Sequence, residues 1–263
     1  MSALSGRKSF RYAFSGLSIV LILLVAVPLV RMILSADPEV MRATIADREV
    51  MTSIFLTLRC ALWATLACVL LGIPLAYVMA RWTFPGKSLV QGLVDLPVMI
   101  PHTAAGIALL MVYGRGFFFG KALSHIGVDL VGTEVGISLA MAYVSLPFLV
   151  NAAKDGFLAM DPKLERVART LGASPWQAFF RVSLPLTWRP ILSGSIMMWA
   201  RGISEFGAVI ILTYHPMTAP ILIWERFQAF GLKYAKPVAV LLILICLLIF
   251  AVLRWLAEPK KET

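Results

Sequence analysis

Apolar residues run through this chain in long blocks rather than in alternation with polar ones. Six blocks, near 14–34, 54–80, 89–113, 135–151, 190–214 and 238–256, are long enough to cross a hydrocarbon layer of roughly 30 Å as helices. None alternates with the period of two that a membrane β-strand requires, so helices are the one spanning structure that satisfies the backbone within each segment. The pattern predicts an all-α membrane protein with six transmembrane helices. The first block follows Arg7, Lys8 and Arg11 as a secretory signal would, but it is long and has no Ala-x-Ala-like site before Asp37, so it reads as a retained anchor.

The stretch from about 152 to 189 departs from this pattern. Asp161-Pro162 is a helix start, and Leu164, Val167, Ala168 and Leu171 follow at i, i+3, i+4 and i+7, with Lys163, Glu165, Arg166, Arg169 and Thr170 on the other side. Gly172 stands where a left-handed residue ends a helix, and Ser174-Pro175-Trp176-Gln177 reads as a capping box that starts a second one. Leu184-Pro185 is expected to close that second helix, because proline disfavours helical geometry in the residue before it. Two readings fit this pair: helices lying on the lipid headgroups, or a rigid knob whose apolar stripe fills a partner's groove while the glycine sets the angle.

Composition agrees with the blocks: 60% of the 263 residues are hydrophobic and 14% charged, with a mean hydropathy of +0.86. Charge adds orientation. If both termini are cytoplasmic, the inner segments hold Arg7, Lys8, Arg11, Arg81, Lys87, the cations from Lys154 to Arg189, and Arg254, Lys260 and Lys261, outnumbering those outside. The net charge of +10 then faces anionic lipid headgroups and calls for no nucleic acid. No linker divides the chain and no internal repeat is evident, so 1–263 reads as a single domain and a central pathway needs a second chain.

The chemistry is sparse. Gly86-Lys87-Ser88 ends like a phosphate-binding loop but lacks its opening glycine, and Gly120-Lys121-Ala122 has the wrong spacing and no hydroxyl. The three histidines are scattered, and Cys60, Cys68 and Cys246 have no paired-ligand spacing. No catalytic residue, metal ligand or bound cofactor is therefore expected, and the chain reads as a transport subunit rather than an enzyme. Arg201 and Glu205, one helical turn apart within the fifth block, are expected to pair, since a lone charge near the bilayer centre costs about 2.5–3.5 kcal/mol. Asp95 precedes Pro97 and Pro101, which should interrupt the third block; His102 and Thr103 follow the break, and Asp95 is a candidate counter-ion for Arg59. These six, Arg59, Asp95, His102, Thr103, Arg201 and Glu205, are the candidate pathway or gate residues.

In the 152–189 stretch the sequence resembles the binding-protein-dependent ABC importer permeases. Their cytoplasmic signature, EAA-x-x-x-G-x9-I-x-LP, is matched by Ala168, Gly172, Leu184 and Pro185, with Val182 at the isoleucine position. The triplet itself falls on Arg166-Val167-Ala168, with an acid displaced to Glu165. The blocks ARWTFPGKSLVQGLVDLPVMIPHTAAGIALL and WARGISEFGAVIILTYHPMTAPILIWERF are similar to the molybdate/tungstate branch, with sulfate permeases as close relatives. The resemblance implies a type I importer permease fold with both termini cytoplasmic, in the plasma membrane of a prokaryote. It further implies a homodimer, two ATPase subunits that carry ATP and Mg and receive the 164–185 segment, and an external oxyanion-binding protein. On this reading Leu164, Glu165, Val167, Ala168, Leu171, Gly172, Leu184 and Pro185 form the ATPase-coupling loop. Two other classes compete with it: a secondary transporter that uses Arg201, Glu205 and Asp95 as an ion relay, and an intramembrane enzyme, for which no nucleophile or metal signature is present.

Overall fold

The computed structural model describes residues 2–257, with side chains over 10–252. Lys260 and Lys261, and the side chains of Arg7, Lys8 and Arg254, which the charge reading used, lie outside the described residues. Among the described residues the fold is entirely helical. Its frame is three long helices: α1 (Ser2–Leu34), α3 (Arg48–Arg81) and α7 (Glu134–Ala159), with the short α2 (Pro38–Ala46) joining the first two. The caps are written in the sequence. Asp37 and Asp47 each accept a hydrogen bond from the N–H two residues on, at 2.9 Å, and the Thr133 hydroxyl accepts from the Gly136 N–H at the start of α7.

The third block is not one rod. It forms α4 (Lys87–Met99) and α5 (His102–Tyr113), bent by 117°. Pro101 lacks the N–H that would continue α4 and holds Ile100 in an extended conformation with ψ of 149°, whereas Pro97 is accommodated inside α4. After α7 come α8 (Lys163–Thr170) and α9 (Pro175–Ala178), then α10 (Leu184–Ile203), α11 (Gly207–Leu212), α12 (Ala219–Phe230) and α13 (Leu232–Ala257), with α6 (Phe118–His125) earlier in the loop before α7. Four helices, over Phe10–Leu34, Arg48–Arg81, Glu134–Ala159 and Leu232–Val252, are long and apolar enough to cross a membrane, and the bent α4–α5 pair makes up to five. The fifth block begins earlier and ends sooner than the hydropathy pattern suggested, since α10 stops at Ile203 and a break precedes α11.

Proline 185 does not close a helix. Residues Phe179–Ser183 form a π-turn that carries the chain from α9 into α10, and the Leu184 N–H reaches back to the Phe179 carbonyl. The wider turn shifts the hydrogen-bond register, so Leu184 stays helical although a proline follows it.

Small residues let α3, α7 and α10 approach closely. A Cβ on Gly194 of α10 would sit 2.7 Å from the Ala152 side chain of α7, a contact no real side chain makes, so the crossing requires glycine there. One apolar cluster gathers Cys60, Ala61, Ile137, Met141, Ala208 and Leu212, and a second gathers Ala76, Leu149, Ala153, Phe157, Ile191 and Met198. By contrast α1 is exposed along its described length, and Lys236 at the start of α13 ties its end by donating to the Ser35 carbonyl at 2.8 Å.

At the end of α3 away from Arg81, Arg226 of α12 bonds Asp47 at 2.7 Å and Glu49 at 3.0 Å. The Arg226 hydrogen bond, helped by the Glu49 N–H, holds the Asp47 carboxyl below its ordinary value of 3.8. A depressed carboxylate stabilises the fold fully above its unfolded value and loses that contribution as pH falls through the folded one. Thermal unfolding in detergent should therefore show a loss of stability that sets in below pH 3.8. Arg226→Gln should remove that step and cost about 0.5–1 kcal/mol at neutral pH, as a partly exposed pair does.

Candidate functional site

Two places bring functional side chains together. The first is the pair α8 and α9. Asp161 accepts from the Lys163 N–H at 2.8 Å, and α8 ends in a Schellman arrangement in which the Ala173 N–H bonds the Ala168 carbonyl and the Gly172 N–H that of Arg169. Gly172 takes φ of +93°, the left-handed region that glycine enters freely. The capping box between Ser174 and Gln177 is complete. The π-turn then makes α9 the start of the rod that α10 continues.

What this pair shows to the outside is apolar. Leu164, Val167 and Leu171 are 47%, 56% and 83% exposed, and beyond the turn Trp176 and Phe180, stacked at 5.9 Å, are 72% and 55% exposed. A ridge of this size has no cover among the described residues. Ala168 and Glu165 lie on the opposite side, turned toward the body. Glu165 is not the solvated acid its place on the polar side of the helix suggested. Its Oε1 accepts from Arg81 Nε at 3.0 Å and Ser183 Oγ at 2.7 Å, and its Oε2 from the Tyr77 hydroxyl at 3.0 Å. Arg81 also reaches the Met160 carbonyl. The ridge is thus held to the end of α3 and the start of α10 by one carboxylate, which fixes its angle from the inside. Leu184 and Pro185 are the first two residues of α10.

The second place is a cavity of about 720 Å³ at the bend between α4 and α5, lined by Met99, Ile100, Pro101, His102, Thr103, Arg201, Ser204, Phe206 and Gly207. Arg201 and Glu205 face each other across the break that ends α10, Nη2 to Oε2 at 2.9 Å, and His102 Nδ1 lies 3.1 Å from the same oxygen. The guanidinium also lies against the imidazole, 2.8 and 2.9 Å from its two nitrogens. Glu205 is fully buried. Its Oε1 accepts from the Ala208 N–H at 2.9 Å and so caps α11, while Oε2 has ionic neighbours but no aligned donor. Gly207 lets this happen, since a Cβ there would come 2.8 Å from that of His102. One buried acid therefore holds a cation and a histidine at the cavity wall.

Arg59 and Asp95 are not partners. Arg59 pairs with Glu134 at the start of α7. Asp95 accepts from Asn151 at 2.7 Å and from Gln91 at 2.8 Å, and Lys154 completes the network by donating to Gln91 at 2.9 Å. Both charges are satisfied away from the cavity. The sequence marked His102 but gave no sign that it joins the Arg201–Glu205 pair, because the contact is made only through the bend at Pro101. Tyr77 and Arg81 as partners of Glu165, and Asn151 as partner of Asp95, were equally out of reach, since each lies more than 50 residues away along the chain.

The 20-residue helix α10 joins the two places, from Ser183 under the ridge to Arg201 at the cavity. At 1.5 Å per residue it separates them by about 30 Å. Trp199 Nε1 donates to the Leu58 carbonyl and fastens the far end of α10 to α3.

Relatives place this architecture. Over 252 residues, 95% of this chain and 97% of the other, it is 45% identical to the molybdate/tungstate transport system permease protein WtpB of Thermococcus kodakarensis. The Pyrococcus furiosus protein of the same description is 43% identical over 97% of this chain and 98% of that one. A probable sulfate transport system permease of Chlorokybus atmophyticus is 33% identical over 77% of this chain and 72% of its own length. In fold the chain matches a bacterial ABC transporter that imports the acidic polysaccharide alginate, with a TM-score of 0.75 at 17% identity over 98% of both chains. It also matches the inward-facing MetNI methionine ABC transporter, with a TM-score of 0.62 at 15% identity over 79% of this chain and 94% of the other. Residues 72–259 match the family described as binding-protein-dependent transport system inner membrane components, a range that begins within α3 and takes in the ridge and the cavity, and the chain belongs to that family.

Proposed function

We propose that this chain is the membrane-spanning permease subunit of an ABC importer that moves a tetrahedral oxyanion, molybdate or tungstate ahead of sulfate, into the cytoplasm. Similarity to the molybdate/tungstate permeases over nearly the whole chain carries this reading. The weaker similarity to a sulfate permease sets the order of anions. Two copies form the pathway, an external binding protein delivers the anion, and two ATPase subunits bind and hydrolyse ATP. The chain crosses the prokaryotic plasma membrane six times with both termini inside, α4–α5 and α10–α11 being broken crossings. An ion-coupled relay has little support: Asp95 is bound into a network apart from Arg201 and Glu205.

The exposed ridge of Leu164, Val167 and Leu171 with Trp176 and Phe180 is the surface that enters a groove of the ATPase. Burying those side chains supplies the affinity, and Glu165 supplies the stiffness. Closure of the ATPase pair then moves the ridge, Arg81 and Ser183 as one body, and α10 carries the displacement to the break at Ser204. The cavity with His102, Thr103, Arg201 and Glu205 is the gate that this movement opens. Arg59 and Asp95 serve packing.

Purified alone, the chain should hydrolyse no ATP. Reconstituted with its ATPase and binding protein, it should take up tungstate and molybdate faster than sulfate when ATP is supplied; sulfate uptake that exceeds both reverses the anion assignment. Leu171→Asp puts a carboxylate on the ridge, where no described residue covers it. It should leave insertion and melting unchanged, yet weaken co-purification with the ATPase by about tenfold or more, the equivalent of roughly 1.4 kcal/mol. Gly172→Val, which forces a β-branched residue into positive φ, should uncouple hydrolysis from uptake even where the ATPase is retained. Lys163→Ala on the far side is the control. If both variants behave like it, the ridge is a lipid-facing anchor.

A further inference from the structure

The three groups on the cavity wall differ in what they offer an anion. Arg201 and His102 line the cavity, their nitrogens turned to each other and to Glu205 and the Arg201 Nη1 also donating to the Ser204 hydroxyl, while Glu205 is buried behind them and its other oxygen caps α11. The first turn of α5 opens into the same space. Its N-cap position is Pro101, which has no side chain to cap with, so the N–H groups of His102, Thr103 and Ala104 have no side-chain partner. A guanidinium, an imidazole and a bare helix N-terminus thus converge on one cavity about 30 Å from the ridge, by the length of α10.

Resting on the importer reading above, we infer that this cavity is a transient holding station for the oxyanion. Arg201 and His102 contact the anion together with the first-turn N–H groups of α5, and Glu205 is a positioning residue that keeps the station weak. The chemistry follows from charge balance. The Glu205 carboxylate offsets the Arg201 guanidinium beside it, so a dianion arriving in the cavity meets directional donors without a net positive well. It is oriented but not trapped. A wall with two cations and no buried acid would bind the anion too well to release it, and a wall without Arg201 would expose it to Glu205. Movement of α10 carries Arg201 away from the first turn of α5 and divides the station, because the donors stand on different helices.

The test uses the complete complex of permease, ATPase and binding protein in lipid nanodiscs, with sodium tungstate as the probe. Equilibrium binding is measured without the binding protein and ATP-driven uptake with it. Wild type should bind tungstate weakly but saturably. Arg201→Gln should weaken binding by about tenfold and lower uptake, and Arg201→Lys should restore part of both. His102→Gln, at the more exposed edge of the cluster, should give a smaller loss. Glu205→Gln separates this role from a merely structural one: binding should tighten by about fivefold or more while maximal uptake falls. Binding that weakens alike in Glu205→Gln and Arg201→Gln overturns the station. So does a wild-type complex with no saturable tungstate binding, or an Arg201→Gln that binds and transports normally. If Glu205→Gln does not insert, the Arg201→Gln and Arg201→Lys pair decides alone. A wild-type complex that takes up no oxyanion at all refutes the importer reading instead, and uptake that is indifferent to Arg201 refutes only the station.

Discussion

The cost of leaving a charge unpaired in a hydrocarbon layer shapes this protein more than any other single term. About 2.5–3.5 kcal/mol for a lone charge near the centre is a large fraction of a domain's stability. Among the described residues, several ionisable side chains of the long helices have found partners: Arg201 with Glu205 and His102, Asp95 with Gln91 and Asn151, Arg81 with Glu165. Apart from the Gln91–Asp95 contact within α4, each of these pairings joins two different helices or two sides of a break. The places where the chain spends polarity are therefore the places where its helices are fixed to one another, and the two functional regions coincide with two of them.

Breaks in the helices depend on the same pairings. A broken helix inside a membrane exposes backbone donors and acceptors that lipid cannot satisfy. At the end of α10 the freed groups are managed by Glu205, which caps α11 and neutralises Arg201 in one stroke. At Pro101 the missing N–H belongs to a proline, and the remaining free donors open into a cavity. At Pro185 the chain takes a different course, widening one turn so that the helix survives. Pro101 and Pro185 thus have opposite outcomes: the first stands at a break between helices, the second lies within a continuous one.

The apolar surface also divides by its neighbours. Leu164, Val167 and Leu171 stand on a short helix tied down by a buried carboxylate, so the ridge is rigid and displayed. The leucines and valines of α1 are as exposed, but they lie on a long smooth helix held mainly at its end by Lys236. Polar contacts from behind, more than hydrophobicity itself, distinguish the ridge from the exposed surface of α1.

Sequence alone determined the class of this protein, its helical blocks, the capped pair at 161–183 with its glycine hinge, and the pairing of Arg201 with Glu205. Those features are local: they depend on hydropathy, on caps within four residues and on one helical turn, all of which a short window of sequence contains. Only the tertiary structure decided that Glu165 and Ala168 face inward, that Asp95 pairs with Asn151 rather than Arg59, that Pro185 lies within a continuous helix and that His102 completes the charged cluster. A polar residue on an amphipathic helix has the same periodicity whether it meets water or a buried arginine from another helix. Which of these it meets is set by how helices cross, and glycine contacts such as Gly194 against Ala152 and Gly207 against His102 set those crossings across distances that no window of sequence spans.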